Sequence, residues 1–281
     1  MKRTKFLISI VVLMTITLAV TPPVIPQIGT YEFHGAAGQQ KILKVRTVNN
    51  ASLADLFGPS WVSVIEVFKP GAANVGARFK SVVNAVFNPI SLNYSVYGLG
   101  FLDAAMYNTS SWYWTTGAFD PVADSIGDFV TGFYNPADLV AFINAFWYSI
   151  YSIPYNISMH TAGAFMAQLP TDVEQYLGAL IWEPKWENIG NTVVHHAEAL
   201  DYNVPLYSFQ YLENCTETWT YDKTYGAWIG YSIKDDANNV IYEFSIELPG
   251  GIPGYEIPLI IGVAGMAIIS VIYVVMKKKR I

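Results

Sequence analysis

Alternating apolar and polar residues, and runs rich in β-branched and aromatic residues, predict strands in two regions of the chain, 41–101 and 217–247. Lys41 to Val48 alternates well enough for a half-buried strand, and Trp61 to Phe68, Ala77 to Phe87 and Ile90 to Phe101 are rich in β-branched and aromatic residues. Val240 to Glu247 alternates strictly, and it follows two further strands, Glu217 to Tyr221 and Ala227 to Ile233. The last three strands predict an antiparallel meander with one wet face.

The middle of the chain carries helix signals instead. Asp120-Pro121 and Asn135-Pro136 each place a capping residue before a proline at the first helical position, which favours a helix start. Val122, Ile126, Phe129 and Val130 would then share one face. Thr171-Asp-Val-Glu174 fits a capping box, and Ser52 caps a short helix that ends before Gly58.

Together these elements predict an α+β fold. We expect a mainly antiparallel sheet, with a curved half-barrel as one form of it, and a central helical block. A signal helix precedes this domain and a transmembrane helix follows it.

The two ends of the chain are apolar runs with basic flanks. Met1-Lys-Arg-Thr-Lys5 precedes an uncharged run from Phe6 to Val20, which is the layout of a secretory signal, and an uncleaved anchor is the alternative. Ile257 to Met276 contains no charge and is followed by Lys277-Lys-Lys-Arg280. This run is long enough to span a bilayer, and its positive flank predicts a cytoplasmic C-terminus.

The domain organisation follows from these ends. Residues 1–20 form the signal peptide or signal anchor, 21–248 an extracellular α+β domain, 249–256 a stalk, 257–276 the transmembrane helix, and 277–281 a cytoplasmic tail. The predicted localisation is the cell membrane, with the domain outside.

Charge is segregated between the ends and the exported domain. Seven of the 16 basic residues lie at the two membrane ends, so nine remain against all 22 acidic residues. This balance disfavours nucleic acid and anionic lipid as partners, because both require clustered Lys and Arg.

Five Asn-x-Ser/Thr sequons are glycosylation candidates in an exported domain. They begin at Asn50, Asn93, Asn108, Asn156 and Asn214. Their use as acceptors predicts that these asparagines are exposed. A single cysteine, Cys215, excludes an intrachain disulfide.

Candidate chemistry in the sequence is sparse. Gly71 to Gly76 has the glycine spacing of a P-loop, but Ala77-Arg78 replaces the Lys-Ser/Thr pair that binds phosphate and magnesium, so we expect a turn and no cofactor. No catalytic residues are predicted. His195, His196 and Glu198 form a weak metal-binding candidate that would need a further ligand, such as His34 or His160.

Aromatic residues make up 15% of the chain. Many cluster in two runs, so we take five as candidate contacts for a ligand or partner: Tyr107, Trp112, Trp114, Trp147 and Tyr151. Packing in the core is the alternative role of these rings.

The C-terminal segment Ile252-Pro-Gly-Tyr-Glu-Ile-Pro258, with its helix and basic end, resembles the tails of archaeal surface proteins, especially those of the Asgard group. In related families a Pro-Gly-aromatic tail is a sorting signal cut by an archaeosortase, although Pro253-Gly254-Tyr255 differs from the commoner Pro-Gly-Phe form. The meander from Tyr221 to Phe244 resembles a hairpin of those ectodomains. A looser similarity is to half-barrel lipoprotein-carrier domains, which implies a lipid held between sheet and helices.

The sequence therefore predicts a single-pass surface protein, not an enzyme, whose ectodomain binds a hydrophobic ligand or a protein partner. The membrane is one partner, and a lipid or an envelope protein is the other candidate. A structural component of the cell envelope is the first alternative. A metal-dependent hydrolase using His195 or His196 is the second.

Overall fold

The computed structural model describes residues 31–66, 70–151, 167–182, 185–199 and 211–247, with the backbone alone at 146–151. The predicted signal segment, stalk, transmembrane helix and basic tail lie outside these ranges. Within them, no helix is both long enough and apolar enough to cross a bilayer.

Nine strands form one antiparallel sheet. They are β1 (Gln40–Val48), β2 (Arg78–Asn93), β3 (Phe101–Thr115), β4 (Ser125–Phe133), β5 (Trp186–Ile189), β6 (Thr192–Ala197), β7 (Cys215–Tyr221), β8 (Trp228–Asp235) and β9 (Val240–Ile246). Their order across the sheet is β4-β3-β2-β1-β9-β8-β7-β6-β5. The first and last of the described strands therefore pair at the centre of the sheet, with Lys44 opposite Ser245.

Four helices accompany the sheet in the described ranges: α1 (Asn50–Phe57), α2 (Trp61–Glu66), α3 (Pro136–Tyr151) and α4 (Val173–Gly178). Asn49 caps α1, because its side chain accepts a hydrogen bond from Ser52 N. The predicted cap, Ser52, lies inside the helix. Asn135 starts α3, and its side chain accepts from Ala137 N at 3.0 Å.

One face of the sheet carries the core. Residues that lie opposite each other on neighbouring strands share a face, and Val45, Phe244, Tyr231, Trp219 and Val193 follow one another across five strands. All five are buried. Each large apolar side chain removed from water contributes roughly 1.5–3 kcal/mol.

Helices α1, α2 and α4 add further buried apolar side chains, with α1 against β9, α4 against β5 and β6, and α2 against α1. These residues are Leu53, Leu56, Phe57, Val64, Ile65, Val173, Tyr176 and Leu177. Phe57 contacts Tyr211, whose hydroxyl bonds to Glu217 on the covered face.

The other face of the central strands is polar. It carries Thr216, Thr218 and Thr220 of β7, with Ser232 and Ser245 on the next two strands. These hydroxyl side chains are half-exposed. The wet face that the alternation predicted is therefore present.

Close backbone contacts link the C-terminal end of β4 to the start of β8. Gln168 N donates to Thr131 O, Leu169 N donates to Gly226 O, and Trp228 N donates to Ala167 O. The short segment Ala167–Leu169 thus lies between two strands that are distant in the sheet order.

The predicted α+β fold with a central helical block is wrong. The stretch 122–130 was expected as a helix, but its residues from Ser125 onward belong to strand β4. Trp61 to Phe68, expected as a strand, begins as helix α2. The protein is mostly a nine-stranded antiparallel sheet with few helices, and the sheet is open, with β4 and β5 as its edges.

Two other boundaries differ from the prediction. Strand β2 continues through Asn88-Pro89, which was expected to separate two strands, and the register with β3 shifts there. Helix α4 ends at Gly178 and lacks its predicted capping box, because Thr171 Oγ1 donates to Glu32 O instead.

Candidate functional site

The two adjacent histidines lie on opposite faces of β6. His195 is on the covered face, is fully buried, and pairs across the sheet with Glu217. His196 is on the polar face and pairs with Thr216. This follows from the two-residue period of a strand.

Glu217 is the centre of a buried polar cluster. Its Oε1 accepts a hydrogen bond from the Tyr211 hydroxyl, and its Oε2 lies 3.9 Å from His195 Nδ1. The indole ring of Trp186 packs against the His195 imidazole, with ring centroids 4.2 Å apart. Among the described residues, neither ring nitrogen of His195 has a hydrogen-bond partner.

The electrostatics of this cluster keep its weak acids protonated. Burial, and secondly the charge of Glu217, raises the pKa of the Cys215 thiol and of the Tyr211 and Tyr231 hydroxyls. Cys215 therefore stays a thiol, which is a poor nucleophile. The tyrosines remain donors toward a buried carboxylate.

On the polar face, His196 lies between a carboxylate and a hydroxyl. Its Nε2 is 2.5 Å from Glu187 Oε1, and its Nδ1 is 3.5 Å from Thr216 Oγ1. The second distance is at the outer limit of a hydrogen bond. This arrangement orients the imidazole but gives little activation of the hydroxyl.

The metal-site candidates do not converge. His195 and His196 lie on opposite faces, and Glu198 is paired with Lys185 Nζ at 3.1 Å. His34 is paired with Glu32, and His160 lies outside the described residues. Across the described ranges, no three His, Cys, Asp or Glu side chains are grouped to hold a metal ion.

Two of the candidate aromatic residues belong to the core. Tyr107 is buried against Phe33, its hydroxyl accepts from Gly35 N at 3.1 Å, and burial raises its pKa to about 12. Trp114 is buried between Phe79 and Phe244. Neither ring is available to a ligand.

The other candidate aromatics differ. Trp112 is half-exposed, and its Nε1 donates to Asp120 O while Lys80 Nζ lies 3.9 Å from its ring centroid. Trp147 and Tyr151 lie in α3, and their side chains are outside the described part of the structure.

Four of the five sequons lie in described ranges. Asn50, Asn93 and Asn214 are exposed, as their use as acceptors predicted, whereas Asn108 is half-buried in β3 and its Nδ2 donates to Asp128 Oδ1. Asn93 Oδ1 accepts from both the backbone N and the hydroxyl of Ser95. Asn156 lies outside the described residues.

Sequence reasoning missed an apolar surface at the edge of the sheet. We define the β4 edge surface as Val122, Ile126 and Phe129, whose exposed fractions are 73%, 65% and 47%. Their spacing also fits a helix, which is why the strand was missed.

Sequence reasoning also missed the role of Glu217. That residue occupies an apolar position in the alternation Cys215-x-Glu217-x-Trp219-x-Tyr221, and this position was a usable signal.

Comparison of the chain with protein-family models and with curated protein sequences gives no match.

Proposed function

We propose that this chain is a single-pass membrane-anchored surface protein whose ectodomain binds a protein partner through the β4 edge surface. The main support for a partner site is that β4 is an edge strand and that exposed apolar side chains lie along it. The uncharged run 257–276 and its basic flank support the anchor.

An edge strand offers two kinds of contact at once. Backbone N–H and C=O groups on its outer side can pair with an extended segment of a partner. At the C-terminal end of β4, Gln168 N already donates to Thr131 O. That end of the edge is therefore already paired, and a partner segment would pair nearer Ile126 and Phe129.

Apolar side chains add binding energy to this pairing. Ile126 lies opposite Ser110 and Phe129 lies opposite Tyr107, so the two exposed residues flank the edge on both faces of the sheet. Fully burying one such side chain contributes roughly 1.5–3 kcal/mol. A partner segment with alternating apolar residues would cover both.

A protein partner is favoured over a hydrophobic ligand. Tyr107 and Trp114, two of the five aromatic residues expected to contact a ligand or partner, are buried in the core. The exposed apolar side chains lie along an edge, which suits an extended segment.

Site-specific photo-crosslinking on intact cells tests this function. A photoreactive phenylalanine at position 129 of the full chain should form an adduct with one partner. The same residue at Ile189, which is 59% exposed on the opposite edge strand, should not. Equal adducts at both positions, or none at 129, would count against the proposal.

A charge variant makes the test specific. Ile126→Glu should abolish the adduct at 129, because a partner that buries this position would have to remove an unpaired carboxylate from water, which is unfavourable for binding. The melting temperature should stay within about 2 °C, since surface substitutions cost little. Persistence of the adduct in this folded variant would exclude the β4 edge surface.

A structural role in the envelope is the second candidate, and the same observation supports it. Two copies of β4 could pair antiparallel across a two-fold axis, which gives a self-complementary contact. With two differently tagged chains in one cell, an adduct at 129 that joins the two tags identifies this case. An adduct to a different protein identifies the first.

A further inference from the structure

Four basic side chains come together on the polar face of β1 and β2. Lys44 lies directly opposite Arg78, and Ile42, two residues before Lys44, lies opposite Lys80. Arg46 reaches the same face, because its guanidinium donates to Ser245 Oγ, and Ser245 is the partner of Lys44. We call Lys44, Arg46, Arg78 and Lys80 the basic patch.

The basic patch is a local exception to the acidic charge that composition predicts for the exported domain. The exported domain is acidic on average, yet five of its nine basic residues lie on two adjacent strands, and four of the five are on the polar face. The acidic groups facing them are Glu247, which directly follows β9 and lies within the patch, and Glu243 of β9, opposite Thr47. The local charge is therefore positive on a negatively charged domain.

Neighbouring groups hold these cations in place. Glu247 lies between Lys44 and Arg78, at 3.4 and 3.6 Å. Arg78 also donates to Gly117 O, and Arg46 donates to Ile246 O. Because the side chains are already ordered, binding an anion costs them less entropy.

The patch keeps access to solvent. The side chains of Lys44 and Arg78 are 34% and 31% exposed. Trp112 lies at its margin under Lys80, and Tyr113 beside it is exposed. Trp and Tyr are the residues that favour the head-group region of a bilayer.

The patch also lies where the chain leaves the domain. Glu247 is paired with two of its members, and in the sequence nine residues, 248–256, separate it from the apolar run that begins at Ile257. Nine extended residues span at most about 30 Å. If residues 257–276 form the proposed anchor, the patch is held within that distance of the membrane.

We infer that the basic patch binds anionic lipid head groups of the outer leaflet, which faces the exported domain in the proposed topology. Basic residues near such a surface are attracted to it, and a short tether gives a high effective concentration of head groups. The contact would orient the domain on the membrane. This inference rests on the proposed membrane anchor.

Amine acylation of the full chain in lipid nanodiscs tests the inference. We expect Lys44 and Lys80 to be acylated at least about fivefold more slowly in discs containing 30% phosphatidylglycerol than in pure phosphatidylcholine, with a return toward the neutral rate at high salt. Lys223, which is 64% exposed and away from the patch, is the internal control. Equal Lys44 rates in both lipids would overturn the inference.

Two variants sharpen the result. Arg78→Gln should restore fast acylation of Lys80 in anionic discs, while Lys223→Gln should leave the protection of Lys80 unchanged. Protection that appears in both lipids and grows with protein concentration would indicate a second copy on the patch and would also overturn the inference.

Retention of the chain in the discs tests the membrane anchor independently of the head-group contact. A chain that does not remain with the discs after detergent removal contradicts the membrane anchor itself. A chain that remains with the discs but shows unprotected lysines contradicts only the head-group contact.

Discussion

Lys41 lies on the covered face of β1, in line with Leu43 and Val45, and is half-buried. Loss of hydration lowers its pKa from 10.5 to about 8. Below pH 8 the lysine is charged in both the folded and unfolded chain, so the full penalty opposes folding. As the pH rises from 8 toward 10.5, the folded state loses the proton first and the penalty decreases.

We therefore predict that Lys41→Met stabilises the domain at pH 7 by about 2 kcal/mol. This advantage should shrink by about half at pH 9.5, because wild type gains stability over that range. Urea unfolding of both proteins at the two pH values measures it, with Lys223→Met as the exposed control. A less stable Lys41→Met variant at pH 7 would contradict this account.

The exposure of the sequon asparagines predicts which of them carry a glycan. In a cell that glycosylates exported Asn-x-Ser/Thr sites, Asn93 should be occupied and Asn108 largely unmodified. The Asn108 amide is half-buried and bound to Asp128, whereas Asn93 is exposed next to the Ser95 hydroxyl. Mass spectrometry of glycosidase-treated peptides reports both sites, and Ser95→Ala is the control that should empty Asn93. Higher occupancy at Asn108 than at Asn93 would refute it.

Strand β4 depends on close backbone packing at one of its glycines. A Cβ at Gly132 would lie 2.2 Å from Gln168 O and 2.8 Å from the Phe33 ring, whereas a Cβ at Gly127 would meet only the Phe129 ring at 3.5 Å. The two glycines lie on the same strand, so they form a matched pair.

We expect Gly132→Ala to destabilise the domain by about 2–3 kcal/mol, because backbone must move to admit the methyl group. Gly127→Ala should change stability by less than about 0.5 kcal/mol. Thermal or urea unfolding compares them. Equal effects of the two substitutions would show that the contact between Gly132 and Gln168 is not formed.

Local signals predicted those elements whose partners are close in sequence. Asn135-Pro136 starts α3 because Asn135 bonds to residues two and three positions ahead. Asp120-Pro121 carries the same signal, but Asp120 O accepts from Trp112 and Asp124 accepts from Tyr113 N, so tertiary contacts replace the cap. The apolar spacing after it fits a helix or an edge strand, and pairing with β3 decides between them.

Across the sheet as a whole, pairing between strands that are distant in sequence creates surface features that the sequence alone does not reveal. The pairing of β1 with β9 brings Lys44 and Glu247 together across about 200 residues. Composition predicted an acidic domain and disfavoured nucleic acid and anionic lipid as partners, because it averages over the surface. Only the register of β1 and β2 reveals the basic patch.

The candidate site was predicted only in part, for a related reason. The period of a strand separates His195 from His196, so adjacent histidines could not form one site. The aromatic runs were recognised, but burial of Tyr107 and Trp114 depends on Phe33 and Phe244, which lie far away in sequence. The β4 edge surface could be recognised only from the strand order, which places β4 at the edge of the sheet.

We propose that the domain is displayed outside the cell and anchored by the C-terminal segment. Cysteine labelling with a membrane-impermeant maleimide on intact cells tests it most directly, since the buried native Cys215 gives little background. Val75→Cys, at a position 59% exposed, should be labelled on intact cells, and Ile281→Cys only after permeabilisation. Labelling of Val75→Cys that requires permeabilisation would contradict the account.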